Sequence, residues 1–592
     1  MLDPIHAIVR KAEDNYVDST VRIGDHVDFS MHETIERIIA YLNSKHISGD
    51  QDSLGREKPF FNIVIAIVNI WYRATDVSRK DIIIRPDKVS NTIPTLFATA
   101  LLQDWMRREE FGTFLNQWGR VLAQFGSAVV KFVKRDGRLV PSVIPWNRMI
   151  CDQMDFYAQP RIERLYRTPA QLRKESLFDQ KAVEALISSI GTRKSLGGDS
   201  KDLKDEFIEL YEVHDDLPIA YLKDDLLTAS EHEEKTYTQQ IHVLSFVKNK
   251  DGKYDDFTLY KGREERDPYV LTHLIEEEGR TLSIGAVEAS FDAQWMQNHT
   301  QKNLKDTLDL SSKLIFQTAD QNFIGRNVLS SIETGDIMVH AANSPLTQIN
   351  TGKADITALQ NFSSQWRVLS QEITATPEAA RGITPPSGTP YSTTAALLDQ
   401  SNSLFKIMTE NKGLALEKML REFIIPYLKT KMDNQDEVLA LMRDLDLKKL
   451  DAMYIPNEAV RRYNARAAED IIGRREPLPF DERQMQSQIR QELSVLGNQR
   501  FLSPGEVNWK EALKDLEWEV EVGVTNEPSD KQALLQTLST VLQTLATNPN
   551  ILQDPNAKLL FTRVLNYAGV MSPAEITDVV PQPQPEEEVP TQ

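Results

Sequence analysis

Cysteine is almost absent from this chain of 592 residues, which contains Cys151 and no second thiol. One thiol cannot form an internal disulfide, so the sequence favours a reducing compartment over an export route. We interpret Cys151 as a small buried hydrophobic residue. The ten histidines are dispersed, and with one cysteine they give no spacing typical of a zinc site. The sequence therefore predicts no metal and no other cofactor.

Long apolar runs are missing as well. The most apolar stretch, Phe60–Tyr72, contains Asn62 and Asn69 and is shorter than the roughly 20 residues that a membrane-spanning helix needs. The N-terminal segment has an acid at Asp3 and no continuous apolar region, so it lacks the pattern of a secretory signal. We expect no membrane segment and interpret Phe60–Tyr72 as part of the core.

Motifs of catalysis are also lacking. The sequence has no GxxxxGK[ST] phosphate loop, no GxSxG elbow and no HExxH pair. Asp152 and Asp155 are close enough along the chain to share a metal, but paired acids in an acidic chain are usually solvated surface groups. We therefore predict that the protein is not an enzyme. A carboxylate-metal nuclease built around these two residues is the distant alternative.

Basic residues are outnumbered by acidic ones, and the formal net charge is −19. This excess argues against a protein that grips nucleic acid over its whole surface, so any contact with DNA must be local or weak. With 41% hydrophobic and 26% charged residues the composition is that of a globular protein. A chain of this length is expected to fold as about three or four substructures.

Hydrophobic periodicity predicts mixed α and β structure over the first part of the chain, to about residue 275. Ser30 and Glu33 have the spacing of a capping box before a helix. Alternation around Asp136–Gly137 predicts a hairpin. The further predictions are a helical region over Ile93–Phe125 and strands over Asp81–Pro86, Ala128–Val133, Arg138–Ile144, Met149–Asp152, Phe207–His214, Gln240–Val247 and Phe257–Tyr260.

Beyond Gly285 the periodicity is mainly helical, so the fold class is α+β with helix predominant. The helix predicted after Gly285 is unusually polar over Gln294–Lys302, and we expect one of its faces to contact water. Ile356–Ala375 is helical through Leu359, Phe362, Trp366, Leu369 and Ile373. The later predictions are strands at Gly335–His340 and Leu346–Ile349, helices over Glu437–Leu450, Asn457–Ile472, Phe480–Leu496 and Asp530–Ala546, and an alternating strand within Leu516–Thr525.

The segment Gly382–Met432 joins a loop rich in glycine and proline to one very long helix. Apolar residues recur at three- and four-residue steps on both sides of Pro426. Because proline removes a backbone donor, we expect the helix to kink at Pro426 and then continue. This arrangement suggests a mechanical part.

Six segments of the chain stand out as landmarks in a fixed order. They are Phe125–Asp152, Glu206–Asp215, Ser283–Leu310, Ser331–Ala341, the loop TPPSGTPYSTTAA at Thr384–Ala396, and Trp518–Leu538. Their order resembles that of the portal proteins of tailed bacteriophages, and the resemblance covers roughly Ile35–Ala546. Gly285, Gln294 and Asn298 match the first stem helix of that family.

The resemblance implies a portal-like division of the chain. It places a mixed α/β wing at 1–278, a first stem helix at 279–312, a small α/β clip at 313–353, a second stem helix at 354–376, a tunnel loop at 377–393, the long kinked helix at 394–432, a return to the wing at 433–530, a helical crown at 531–572 and a disordered acidic tail at 573–592.

The resemblance also implies a function. Twelve subunits would form a ring at a unique capsid vertex of the virion, after assembly in the host cytoplasm. The ring would be a passive channel for double-stranded DNA during packaging and ejection and would catalyse no reaction of its own. Its implied partners are the terminase large subunit, a tail adaptor, and the major capsid and scaffolding proteins during procapsid initiation. Another head-to-tail structural or adaptor protein is the nearest alternative.

Candidate channel residues follow from the polar helix and the loop. Lys302 and Lys305 are candidates for transient phosphate contacts, with pairing to Asp306 or Asp309 as the equal alternative. We interpret Trp71, Trp105, Trp118, Trp295 and Trp366 as core or subunit-interface anchors rather than base stackers. The candidate stem residues are Gln294, Asn298, Gln301, Lys302 and Lys305, and the candidate tunnel-loop residues are Thr384, Ser387, Gly388, Thr389 and Tyr391.

Overall fold

The structure is a computed structural model. It describes residues 4–53, 55–77, 82–85, 92–135, 137–158, 160–194, 207–223, 230–248, 254–311, 315–319, 321, 341–345, 347–349, 356–376, 391–433, 438–441, 444–476, 479–497, 499–502 and 519–522. The predicted crown at 531–572, the predicted tail at 573–592, the helix predicted at Asp530–Ala546 and the strand predicted at Gly335–His340 lie outside these ranges.

The N-terminal elements are mostly helices. Ser30 caps α2, because its Oγ accepts a hydrogen bond from Glu33 N at 3.2 Å, which is the serine half of the predicted capping box. The elements are α1 (Pro4–Asp18), β1 (Val21–Ile23), β2 (Val27–Phe29), α2 (Met31–Leu42), α3 (Val64–Ala74), β3 (Ile82–Arg85), α4 (Thr92–Arg108) and α5 (Phe111–Phe125).

The helical region predicted over Ile93–Phe125 is confirmed, and it consists of two helices with a turn between α4 and α5. Glu110 adopts a left-handed conformation with φ of 49° and changes the helix direction. The break lets Trp105 of α4 meet Phe111 of α5 at a ring distance of 5.2 Å. Aromatic packing in the core thus outweighs the continuous helical pattern.

Two antiparallel sheets follow. Gly137, with φ of 71°, supplies the tight turn between β4 and β5, which confirms the predicted hairpin. The strand orders are β11-β4-β5 in one sheet and β10-β9-β8-β7-β6 in the other. The elements are β4 (Ser127–Arg135), β5 (Arg138–Ile144), β6 (Met149–Ile150), β7 (Arg161–Arg167), α6 (Pro169–Lys174), α7 (Gln180–Lys194), β8 (Ile208–Pro218), α8 (Glu231–Lys235), β9 (Tyr237–Lys248), β10 (Tyr254–Arg263) and β11 (Tyr269–His273).

The C-terminal part is predominantly helical, as predicted. A π-helical turn at Leu420–Ile424 joins α11 to α12, so the long helix runs through Pro426 without stopping. The elements are α9 (Phe291–Ser311), β12 (Ile315–Gln317), β13 (Thr347–Ile349), α10 (Ile356–Ile373), α11 (Tyr391–Met419), α12 (Ile425–Asp433), β14 (Val438–Leu441), α13 (Asp444–Ile472), α14 (Glu482–Val495), β15 (Gln499–Leu502) and β16 (Glu519–Val522).

Two predictions for this part are wrong. Val438–Leu441 is a strand paired with β15, not the start of a helix. The separate helices predicted at Glu437–Leu450 and Asn457–Ile472 are one helix, α13, with Pro456 inside it. Ile455 and Ala459 are buried together with Ile489 of α14 in a small cluster, and this packing on both sides of the proline favours a continuous helix.

The largest apolar core joins the N-terminal helices, the β4 sheet and the long helix. Trp118 of α5 and Leu416 of α11 are both fully buried in it. β16 pairs antiparallel with β3, with Glu519 opposite Arg85, so a late strand returns to the N-terminal part. A smaller core lies between the five-stranded sheet and α6 and α7.

Candidate functional site: a helix pair with its polar side inside

Helices α9 and α10 lie side by side, and polar side chains form the seam between them. Ser363 Oγ donates to Gln297 Oε1 at 2.9 Å, and Gln301 Nε2 donates to Ser363 Oγ at 3.2 Å. Gln297 is 3% exposed and Ser363 is 7% exposed. Because buried polar groups are costly unless they are paired, these bonds fix how the two helices align.

Gln294 and Asn298 serve a different purpose from the one predicted. Gln294 Oε1 accepts from Ile63 N at 2.9 Å and its Nε2 donates to Phe61 O at 2.8 Å, while Asn298 Oδ1 accepts from Phe61 N at 3.1 Å. The two amides therefore pair with the backbone of the segment that leads into α3. Both side chains are buried, which does not agree with the expectation that they line a channel.

One stripe of α10 is apolar and exposed. Phe362, Leu369 and Ile373 recur at steps of seven and four, so they share one side of the helix, and they are 41%, 36% and 62% exposed. Ser363 and Ser370, each one position after a member of this stripe, are buried. Apolar stripes left in water mark contact surfaces.

The remaining candidate stem residues are more accessible. Gln301 and Lys302 are half-buried, whereas Lys305 is exposed, with Nζ 3.5 Å from Glu57 O. Asp306 lies 3.4 Å from Arg56 and so has a partner outside its own helix. Asp306, one of the two acids in the predicted alternative of pairing with Asp306 or Asp309, is thus bound to Arg56.

The wet-faced helix was predicted to match the family from Gly285 onward, but α9 begins only at Phe291. Gly285 instead crosses the C-terminal end of α5 at Gly126, whose φ is 75°. A Cβ atom at position 285 would lie 2.5 Å from Gln124 O and Gly126 N, so only glycine fits. Ser283 N donates to Ser127 Oγ at 2.7 Å nearby. The crossing brings two of the six landmark segments into contact and sets where α9 starts.

Four of the five tryptophans predicted as core or subunit-interface anchors, Trp71, Trp105, Trp118 and Trp366, belong to the main core or pack against it. Trp71, Trp105 and Trp118 are at most 5% exposed and lie in the core. Trp71 Nε1 also donates to Thr374 O at 2.9 Å, which ties the end of α10 to α3. Trp366 is half-buried. Trp295 is 54% exposed and is not a core residue of this chain.

The long helix passes Pro426 with an external donor in place of the missing amide. Glu422 O is the carbonyl that an ordinary residue at position 426 would bond, and Arg266 Nη1 donates to it. The same guanidinium lies 4.8 Å from the Phe423 ring, which stacks on Phe132 at 4.3 Å. A π-helical turn is a known way to absorb such an interruption. The turn before Pro426 is therefore held by specific contacts to Arg266 and to Phe132 of β4.

Most of the predicted tunnel loop, 377–393, lies outside the described residues, including Thr384, Ser387, Gly388 and Thr389. Tyr391 is the first residue of α11. The clip predicted at 313–353 is described mainly where β12 pairs antiparallel with β13.

Sequence reasoning missed a buried charge cluster between the two sheets. Lys131 Nζ lies 2.7 Å from both Glu163 Oε2 and Glu212 Oε1, and His214 bonds Glu212 Oε1 at 2.8 Å and Glu264 Oε2 at 2.7 Å. Burial opposes the charge on Glu212, but His214 and Lys131 outweigh it and lower its pKa to about 2. Burial also opposes the charge on His214, but its hydrogen bonds to Glu212 and Glu264 outweigh burial and raise the pKa of the imidazole.

One signal in the sequence could have indicated this cluster. Glu212 and His214 are two residues apart on β8 and so share a face of the sheet. Nothing in the linear pattern identifies Lys131 as their partner.

The carboxylates considered for a metal are used locally. Asp152 Oδ1 accepts from Met154 N at 2.8 Å and Asp155 N at 2.9 Å, which closes a turn. Within the described ranges, no group of three or more His, Cys, Asp or Glu side chains is arranged to hold a metal ion. Cys151 is buried as predicted, and burial raises the pKa of its thiol.

No family model and no curated protein matches this chain. Among the residues that the structure describes, no helix has both the length and the apolar character to span a membrane. Function must therefore be inferred from the residues and their contacts.

Proposed function

We propose that this protein is a portal-type subunit that assembles into a ring of about twelve copies around a passive channel for double-stranded DNA. The observation that carries the proposal is the exposed apolar stripe on α10. Ser363 bonds α9, while Phe362, Leu369 and Ile373 remain in water in a single chain. A second copy of the chain would supply the apolar contact that this face lacks.

The charge of the chain suits a channel through which DNA moves. Many copies of a chain with net charge −19 surround the duplex with like charge. At physiological salt this repulsion acts over only about 8 Å, so the duplex is kept from the wall without being held. The exposed Lys305 offers at most brief phosphate contacts.

The proposed channel is passive. Moving DNA into a capsid requires nucleotide hydrolysis, and the sequence has no phosphate loop. The proposal therefore assigns that work to a terminase large subunit docked on the clip, which a tail adaptor later replaces. Scaffolding and major capsid proteins would meet the same ring when a procapsid is initiated. The purified protein should hydrolyse ATP no faster than a buffer blank.

The test is the assembly state of the purified full chain. Native mass spectrometry should show a closed oligomer, and electron-microscopy averages should show a central hole with about twelvefold symmetry. Ile373→Asp should shift the distribution toward monomers, because it places a charge in the proposed apolar contact. Leu177→Asp is the matched control, since Leu177 is 66% exposed on a different part of the chain.

Three outcomes count against the proposal. A chain that stays monomeric under all solution conditions would not be a portal subunit. Equal assembly of the Ile373→Asp and Leu177→Asp variants would remove the outer face of α10 from the interface. A ring without a hole wide enough for duplex DNA would favour the adaptor alternative.

A further inference from the structure

A concave pocket lies where α2, the loop 46–59 and α9 meet. Its volume is about 430 Å³, within the range of small-ligand sites. None of the roles described above uses it. The described residues that line it are Arg37, Tyr41, His46, Ile47, Ser48, Lys58, Pro59, Trp295, Asn298, His299 and Lys302.

The pocket is positively charged although the chain is strongly acidic. Arg37, Lys58 and Lys302 line it, and no carboxylate is among its described lining residues. Lys58 Nζ bonds only neutral oxygens there, Ser48 Oγ at 3.1 Å and Gly49 O at 2.8 Å. The nearby acid Asp50 is already paired with Lys45 at 2.6 Å. The excess positive charge therefore favours an anion.

Arg37 contributes its charge to the pocket. The guanidinium lies 4.2 Å from the Phe291 ring centroid. Glu288, a carboxylate whose pKa is raised by burial against the opposing charge of Arg37, is bonded to Arg280 at 2.9 Å. Arg37 therefore adds to the positive potential that favours an anion.

The pocket also contains an aromatic surface. Trp295 packs on His299 with the rings 5.4 Å apart and nearly parallel, at 6°. The indole nevertheless stays 54% exposed, although burying it would stabilise the fold. Any of the nucleobases can stack on such a ring, because every base has a flat aromatic face.

We propose that this pocket binds a nucleotide unit, with the base stacked on Trp295 and the phosphate held by Lys58, Lys302 and Arg37. The ligand is a free nucleotide or one nucleotide of an unpaired strand. A continuous duplex does not fit, because its bases are stacked inside the helix. The inference does not depend on the proposed ring.

The experiment is isothermal titration calorimetry of the full chain with dAMP, deoxyadenosine, inorganic phosphate, a ten-nucleotide oligo(dT) and a ten-base-pair duplex. Saturable binding of dAMP is expected, with deoxyadenosine and phosphate each weaker. Trp295→Leu and Lys302→Gln should each weaken dAMP binding about tenfold. Tyr237→Leu and Lys406→Gln are matched controls at exposed positions outside the pocket and should bind as the wild type does.

The same titrations distinguish a free nucleotide from a nucleotide of an unpaired strand. Oligo(dT) binding more tightly per site than dAMP would assign the pocket to an unpaired strand, and equal affinity would assign it to a free nucleotide. The proposal is overturned if dAMP does not bind, if the pocket variants bind it like the controls, or if an acidic peptide displaces dAMP while deoxyadenosine has no effect. Loss of assembly in Trp295→Leu without loss of dAMP binding would instead make Trp295 an interface residue.

Discussion

Replacing Lys412 by methionine tests whether a buried, uncompensated cation limits the stability of the long helix. Lys412 is 1% exposed, and its Nζ donates to Thr75 O at 2.8 Å and lies 5.3 Å from the Trp118 ring centroid. No carboxylate bonds it among the described contacts. Burial lowers its pKa to about 8 from the usual 10.5, with Asp76 opposing the shift weakly. Methionine keeps most of the volume and removes the charge.

The magnitude follows from this shift. A difference of 2.5 pKa units corresponds to about 3 kcal/mol, which is the cost of keeping the lysine charged in the fold at pH 7. Between pH 8 and pH 10.5 the unfolded chain binds more protons at this site than the folded chain, so stability rises with pH. By pH 9.5 the cost falls to about 1 kcal/mol, a gain of roughly 2 kcal/mol for the wild type.

The assay is urea unfolding of both proteins at pH 7 and pH 9.5, followed by circular dichroism. Other titrating groups act equally in the two proteins, so they cancel in the difference between them. From pH 7 to pH 9.5 the free energy of unfolding of the wild type should increase by about 2 kcal/mol relative to that of the Lys412→Met variant. A stability difference that is the same at both pH values would show that Lys412 keeps its ordinary pKa and would refute the reasoning.

Three further substitutions test contacts that support the start of α9, the long helix and the packing of the two sheets. Gly285→Ala should destabilise the protein by about 3 kcal/mol or more, because the new Cβ atom would collide with the backbone near Gly126. Gly137→Ala is the control and should cost only about 1 kcal/mol, because its Cβ atom meets no atom within 4 Å. The urea midpoints of the two variants measure the difference. Arg266→Ala should cost about 1.5 kcal/mol, and less than half of that in a Pro426→Ala background, where a backbone amide is restored; a double-mutant cycle measures this coupling. Lys131→Met should cost about 3–5 kcal/mol in thermal or urea unfolding, because two buried glutamates lose their cation, and a neutral effect would contradict their ionisation.

Local patterns predicted the elements whose reasons are local. The β4–β5 hairpin needs only alternation and a glycine at the turn, and the helix after Ser30 needs only its cap and apolar spacing. The strand within Leu516–Thr525 was also predicted, but its partner β3 was not, because the two strands are more than 400 residues apart along the chain. Pairing over such a distance leaves no trace in a single sequence.

The candidate site was predicted less well, for a physical reason. Periodicity places Gln294 and Asn298 on a helix, but an amide that faces water and an amide that completes a backbone look the same in sequence. Helical spacing likewise grouped Phe362 with Leu369 and Ile373, and the usual rule would bury that group. The rule failed at α10 because Ser363 has partners on α9 that only the fold supplies.

The two sides of α10 also differ in how much stability they supply, and this gives a final prediction. Two neutral hydrogen bonds through Ser363 contribute about 2 kcal/mol at most. Burying the exposed parts of Phe362, Leu369 and Ile373 would contribute about 1 kcal/mol each, roughly 3 kcal/mol in all. An outer contact would therefore stabilise α10 by at least as much as the two Ser363 hydrogen bonds do. In hydrogen exchange, amides of α10 should exchange about a hundredfold or more slowly in the assembled protein than in Ile373→Asp monomers, while amides of β8 should be unchanged. Equal protection of α10 in both would mean that its apolar face stays in water after assembly, and the proposed contact would have to lie elsewhere.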